Sequence, residues 1–184
     1  MFFILPGEWK IPEGEEGFNL TSRPEEDHRR VRDALRAGHR LFLIGAEGAA
    51  TENCFLAVTD HISLFGGSPL AGSNEDDLGP RFPSLMDLYI APEGSWRRGI
   101  AARVPDWRLG TPAELDLLQA RALVSRGIQE AEIAGHAGAR VILLVRCHAW
   151  GGANRKEPEL IEAAAAAERE YTITVTEGGE EREL

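Results

Sequence analysis

The order of patterns along this chain predicts an α/β fold, with a mainly parallel or mixed sheet held between helical layers as a three-layer α/β/α sandwich. Three observations lead there. Apolar, strand-like runs alternate with segments that carry helix start signals. The inner runs are nearly continuously apolar, as expected of strands covered on both faces. The composition, 43% hydrophobic and 27% charged over 184 residues, suits one globular domain with a substantial core, so residues 1–184 are read as a single unit.

Residues 1–5 read as a short buried strand, closed by Pro6 and Gly7. Residues 10–20, rich in Gly, Glu and Pro, read as an exposed loop. Ser22-Arg23-Pro24-Glu25 combines an N-cap, a first-turn proline and a capping-box glutamate. It predicts a helix to about Ala37, with Val31, Ala34 and Leu35 facing inward and Gly38 as the stop. Residues 40–44 form the next strand, ending in a small-residue turn over 45–50. Residues 55–64 form a longer strand, and 66–83 a loop by their Gly, Pro, Ser and Asp content. A short helix is expected over 84–89 and a strand over 100–104. Thr111-Pro112-Ala113-Glu114 is a second capping box, opening a helix through about Ala120. A strand over 122–125, a helix over 129–137 and a buried strand over 140–145 follow. An Ala-rich helix over 158–168 and a strand over 171–175 complete the reading. Val58, Ile62, Ile142 and Leu144 are the expected core of the inner strands.

Charge narrows the function classes. The net charge is −10, and a phosphate-backbone binder needs a concentrated positive field, so no nucleic-acid partner is expected. Arg29, Arg30, Arg32 and Arg36 sit beside Glu25, Glu26, Asp27 and Asp33, the mixture of a solvated helix face. The two cysteines, Cys54 and Cys147, lie in apolar surroundings without zinc-ligand spacing and read as reduced core thiols. No metal site is expected; Asp76-Asp77 reads as a solvated turn. No apolar run approaches membrane-spanning length, and a cytoplasmic location is the default expectation. Nucleophile-elbow, dinucleotide and P-loop spacings are absent.

Residues 59–89 carry four ordered motifs: Thr-Asp-His-Ile-Ser-Leu from Thr59, Ser68-Pro69-Leu70-Ala71-Gly72, Gly79-Pro80-Arg81-Phe82-Pro83, and Met86-Asp87-Leu88-Tyr89. In this order and spacing they resemble the middle segment of the trimeric purine nucleoside phosphorylase family. Thr111-Pro-Ala-Glu114 resembles that family's Glu-Thr-Pro-Ala-Glu helix start. Ala134-Gly-His136-Ala-Gly138, followed by Arg140-Val141, resembles its Ala-x-His-x-Gly-x-Arg-Val element. The resemblance is strongest over 40–145 and implies the nucleoside phosphorylase fold.

The resemblance also implies a chemistry: phosphate attacks the anomeric carbon of a nucleoside while the departing purine takes a proton. It implies a pentosyltransferase-class site for a nucleoside, base or sugar phosphate, with phosphate as co-substrate, no other cofactor and a homo-oligomeric assembly. The phosphate-binding candidates are Ala46 and Gly48, in a turn matching the family's Ala-Ala-Gly, and Arg126, near its phosphate serine. A tight turn would need small residues at 46 and 48 in any case. The nucleoside-binding candidates are Ser125, near the family's Met-Ser pair; His148, near its Thr-Asn pair; and Phe82, matching a phenylalanine that reaches the neighbouring subunit's ribose or else a simple loop anchor. His61, inside an apolar strand, reads as a satisfied core histidine.

Several family groups are missing. The purine-gripping glutamate is replaced by Gly110, and residues 1–41 hold no match to the glycine-rich loop or the Arg-x-His-x-Tyr segment, so a chain shortened at its start is expected. Two readings stay open: a divergent nucleoside phosphorylase-like protein with N-glycosidic bond cleavage as its activity, or a non-catalytic homologue, a pseudoenzyme acting as an oligomer subunit or a ligand-sensing or partner-binding module.

Overall fold

The computed structural model describes residues 1–64, 67–92, 96–105 and 110–150. The elements expected over 158–168 and 171–175 lie outside them. In chain order the described elements are β1 (Phe2–Leu5), β2 (Glu16–Asn19), α1 (Pro24–Arg36), β3 (Leu41–Ala50), β4 (Cys54–Ile62), β5 (Arg97–Arg103), α2 (Pro112–Leu117), β6 (Ala122–Val124), α3 (Ile128–His136) and β7 (Arg140–Ala149).

The strands form one mixed sheet in the order β2-β1-β3-β6-β5-β4-β7, and β3 also pairs with β7. Following the pairings β3–β6–β5–β4–β7 therefore leads back to β3. The β3–β7 ladder is parallel and runs unbroken from Leu41↔Arg140 to Ala50↔Ala149. β4 crosses β7 in the antiparallel sense, and β6 does the same to β3. The C-terminal ends of β3 and β7 thus lie beside the N-terminal end of β4.

The core explains the pairing. Phe42, Ile44, Val141, Leu143 and Val145 point to one face with Val31, Leu35, Ile128 and Ile133 of the helices. Leu43, Ile142 and Leu144 point to the other, against Phe3, Leu5 and Trp9. Both faces of β3 and β7 are covered over these residues, which is why their sequences read as unbroken apolar runs.

The helix signals hold with one shift. Thr111 and Glu114 make the expected reciprocal capping box, with Glu114 N donating to Thr111 Oγ1 at 3.2 Å and Thr111 N to Glu114 Oε2 at 2.6 Å. At α1 the N-cap position is Arg23 rather than Ser22, with no side-chain cap bond. Thr21 and Asp27 supply the polar closure instead: Thr21 N and Oγ1 both donate to Asp27 Oδ2.

Four other expectations are corrected. The stretch over 10–20 is not all loop, because β2 adds parallel to β1 and buries Phe18. Gly17 makes this pairing fit, since a Cβ there would strike the backbone of Phe3. The stretch over 45–50 is not a turn but the second half of β3, kept extended by its ladder with β7. The stretch over 84–89 is a turn at Leu85–Leu88 followed by a parallel bridge from Tyr89 to Val141, not a helix. Val58, Ile142 and Leu144 are buried as expected, whereas Ile62 is only half-buried because the last part of β4 runs out to solvent.

Candidate functional site

Side chains alternate across a strand, so Glu47 on β3 shares a face with Leu43, and Arg146 and His148 on β7 share a face with Ile142 and Leu144. The parallel register places Glu47 directly opposite Arg146. Beyond the apolar part of this face the three polar side chains gather at the C-terminal ends of the strands. Arg146 grips the Glu47 carboxylate with two groups, Nε to Oε2 at 2.9 Å and NH2 to Oε1 at 2.6 Å. Trp9 Nε1 donates to Glu47 Oε1 at 3.0 Å, and His148 Nε2 lies 2.5 Å from Oε2. The Trp9 ring can lie there because residue 45 is glycine: a Cβ would sit 2.9 Å from its ring atoms.

Burial alone would raise the Glu47 carboxyl above its ordinary value. The hydrogen bonds from His148 and Arg146 outweigh that and hold it below, so Glu47 is an anion here. Of the three side chains His148 is the most open, at 34% exposure against 25% for Glu47 and 16% for Arg146. A carboxylate held against an imidazole fixes the orientation of the ring, a common arrangement where a proton is moved.

The sequence candidates distribute unevenly around this cluster. Ala46 is buried in β3 beneath the loop before α3, where a Cβ on Gly127 would lie 3.1 Å from its methyl. Gly127 has φ of 95°, so this close crossing needs a residue that is both small and free to turn left-handed. Gly48 pairs with Val124, and a Cβ there would come within 2.8 Å of Val145 and 3.0 Å of Val124. Neither residue forms the expected amide turn; Ala46 is small where the loop before α3 crosses it, and Gly48 where the neighbouring strands approach. Ser125 follows Val124, the partner of Gly48, and so comes level with Glu47. It is half-buried.

Arg126 is the clearest correction. Its guanidinium does not face an open anion site. NH2 bonds Asp27 Oδ2 at 2.8 Å and Glu130 Oε1 at 2.7 Å, Nε bonds Glu130 Oε1 at 3.1 Å, and NH1 donates to the Thr21 carbonyl. Asp27 and Glu130 are fully buried, and Glu130 Oε2 also accepts from Gly127 N at 2.7 Å. Arg126 therefore ties α1 to the start of α3.

Phe82 is 88% exposed and does not fold back onto its own sheet. Its loop is anchored by Arg32 and Arg36 to Glu75, and by Arg36 to Asp77. These contacts lie toward the C-terminal end of α1, away from the strand ends that carry His148. Within one chain Phe82 is not part of the cluster. His61 is indeed partnered: its Nδ1 is 3.0 Å from the Tyr89 hydroxyl and its Nε2 3.4 Å from Glu132. Burial pushes the Tyr89 phenol strongly up, so it serves this bond as a neutral group.

Sequence reasoning missed Trp9, Arg146 and the role of Glu47. One signal was legible: after an apolar run, Arg146 and His148 stand two apart, on one face of a strand. Among the described residues no group of three or more His, Cys, Asp or Glu is placed to hold a metal ion, and no helix is long and apolar enough to cross a membrane.

No protein-family model matches the chain. Purine nucleoside phosphorylase 1 of Bacillus subtilis is 30% identical over 131 residues, covering 61% of this chain and 48% of that protein. The protein of the same name from Geobacillus stearothermophilus is 28% identical over 132 residues, with the same coverage. The chain spans about half the length of these curated relatives. Among solved structures, a Schistosoma purine nucleoside phosphorylase in complex with hypoxanthine matches with a TM-score of 0.72 at 16% identity, over 95% of this chain and 89% of that one. The Schistosoma enzyme in complex with guanosine matches at 0.64 and 18% identity, over 79% and 78%. The solved structures show that the chain shares the purine nucleoside phosphorylase fold, and over 131 residues its sequence resembles purine nucleoside phosphorylase 1 at low identity.

Proposed function

We propose that the chain recognises a nucleoside, base or sugar phosphate at the C-terminal ends of β3 and β7, with N-glycosidic bond cleavage as the reaction this site serves. The observation that carries the reading is the Glu47–Arg146–His148 cluster, with Trp9 over it and Ser125 level with it, in a fold shared with proteins solved with hypoxanthine and guanosine. In this reading Trp9 and Ser125 border the ligand. His148, steadied by Glu47, holds or delivers the proton that a departing base needs. The same reading takes the sheet as the middle of a three-layer sandwich, with β3, β6, β5, β4 and β7 closing toward a barrel, in one domain over 1–184.

A second reading has its own observation. Gly110 stands where the family has its purine-gripping glutamate, and Arg126, at the phosphate position, is saturated by Asp27 and Glu130. Both favour a non-catalytic homologue that senses a ligand or completes an oligomer. Phosphate is the co-substrate under the first reading and a bystander under the second. We also propose a homo-oligomer, supported by the 88% exposure of Phe82 on an anchored loop.

Thermal unfolding with hypoxanthine, inosine, guanosine, phosphate and ribose 1-phosphate tests recognition. A ligand held at 100 times its dissociation constant stabilises the fold by about 2.7 kcal/mol. No shift with any member would overturn the proposed site. Turnover of inosine with phosphate separates the two readings: a rate in the ordinary enzymatic range of about 1–10³ per second favours the first, and its absence beside clear binding favours the second.

A further inference from the structure

Cys54 opens β4 and Cys147 lies near the end of β7, and the antiparallel register sets them directly opposite one another. Opposed residues of an antiparallel pair have Cα atoms about 4.5–5.5 Å apart. That lies inside the range of about 4.4–6.8 Å that a disulfide spans. Both thiols are free here. They differ in access. Cys147 is 1% exposed and touches the Val145 carbonyl at 3.7 Å. Cys54 is half-buried and lines a cavity of ≈ 480 Å³ together with Glu52, Trp96, Arg97, Arg98 and Arg121.

We propose that Cys54 and Cys147 are a thiol pair that a hydroperoxide entering this cavity converts to an intrachain disulfide. The Cys54 sulfur attacks one peroxide oxygen. The O–O bond breaks, water or an alcohol leaves with the thiol proton, and Cys54 becomes a sulfenic acid. The Cys147 sulfur then attacks that sulfur. The S–S bond forms, the S–O bond breaks, and hydroxide leaves as water with the Cys147 proton. Two thiols lose two electrons in all, and the hydroperoxide takes them up.

The order of attack follows from the surroundings. The neighbouring Cys147 thiol lowers the Cys54 thiol first, with Arg97 and Arg121 adding to it against the opposing pull of burial and Glu52. The adjacent Cys54 thiol and burial push Cys147 far up, so it suits the resolving role. The bridge would staple β4 to β7 one residue from His148. It would connect oxidation to the strand end that carries Glu47 and Arg146, independently of what that site binds.

The sequence contains two cysteines, so the test is direct. The full chain is treated with hydrogen peroxide, unfolded, alkylated and weighed intact. Both alkylatable thiols should disappear together and return with dithiothreitol, and a non-reducing peptide map should join Cys54 to Cys147 within one chain. Cys147→Ser should stop at a sulfenic acid on Cys54 that dimedone traps, and Cys54→Ser should leave Cys147 alkylatable. Retention of both thiols in the wild type, loss of one without the other, or a bridge between chains would overturn the proposal. The wild-type readout stands even where a variant fails to fold.

Discussion

Two arginine–carboxylate clusters sit in this molecule, and they differ in what surrounds them. Around Arg126, two fully buried carboxylates and a backbone carbonyl engage all three guanidinium nitrogens, and the ion group joins two helices. Around Glu47, the same chemistry sits at the open end of two strands, with a part-exposed histidine on one side and a tryptophan on the other. Residue type is therefore a poor guide to role. A buried ion group whose partners are all protein atoms is scaffold, whereas one that ends in a solvent-facing titratable ring can act on something else.

The largest way to test this contrast is to remove each hub. Arg126→Met leaves Glu130 buried without its arginine and Asp27 with Arg30 alone at 3.9 Å, and breaking such a buried group costs about 3–5 kcal/mol. Urea unfolding should show it, and a loss under 1 kcal/mol would mean that the network is not structural. Glu47→Ala strips acceptors from Arg146 and from the part-exposed His148, and should cost about 1–3 kcal/mol. If the second loss exceeded the first, the assignment of scaffold and site would have to be exchanged.

Acid separates the two clusters more finely. His28 lies 3.8 Å from Glu130, and burial lowers its proton affinity, with Arg126 and Arg32 adding to that against the pull of Glu130 and Asp27. The folded state thus binds this proton less readily than the unfolded chain. Its contribution is complete above the unfolded value of 6.5 and is lost as pH falls below it. Glu47 is also lowered, so its contribution is complete above its unfolded value of 4.5 and lost as pH falls through the folded value. Stability measured against pH should decline in two stages. His28→Gln should remove the first and Glu47→Gln the second; a single stage unaffected by either substitution would contradict both assignments.

Phe82 belongs to neither cluster, and its substitution should have the smallest effect on the fold. Phe82→Ala should shift unfolding by no more than about 0.5 kcal/mol, as exposed positions do. Light scattering should meanwhile show an oligomer for the wild type and a smaller mass for the variant. A wild type that is monomeric at micromolar concentration would overturn the proposed assembly.

Much of the fold was legible in the sequence, and the reasons are physical. Capping residues mark helix starts locally, so Thr111 and Glu114 announced α2 without tertiary information. The runs over 55–58 and 141–145 are apolar because both faces are covered, which a sequence also displays. The errors arose where distant contacts decide. The small residues over 45–50 suit a turn, yet a ten-residue ladder with β7 keeps them extended. Gly17 and Phe18 sit among loop-like residues, yet the bare edge of β1 draws them into β2. Arg126 stood at a position matching a phosphate ligand, and only the packing of α1 on α3 reveals its two carboxylates. His148 was recognisable by position, whereas its partner Glu47, roughly a hundred residues away in the chain, could be found only through the register.

Isothermal titration of hypoxanthine, inosine and ribose 1-phosphate into the wild type, His148→Ala and His28→Gln tests the division between site and scaffold most directly. The account predicts that at least one of these ligands binds the wild type and the His28 variant alike. Affinity should fall tenfold or more in the His148 variant, about 1.4 kcal/mol or greater, as expected when a charged-group hydrogen bond is lost. Equal affinity for the wild type and His148→Ala, or no binding by any of the three ligands, would contradict it.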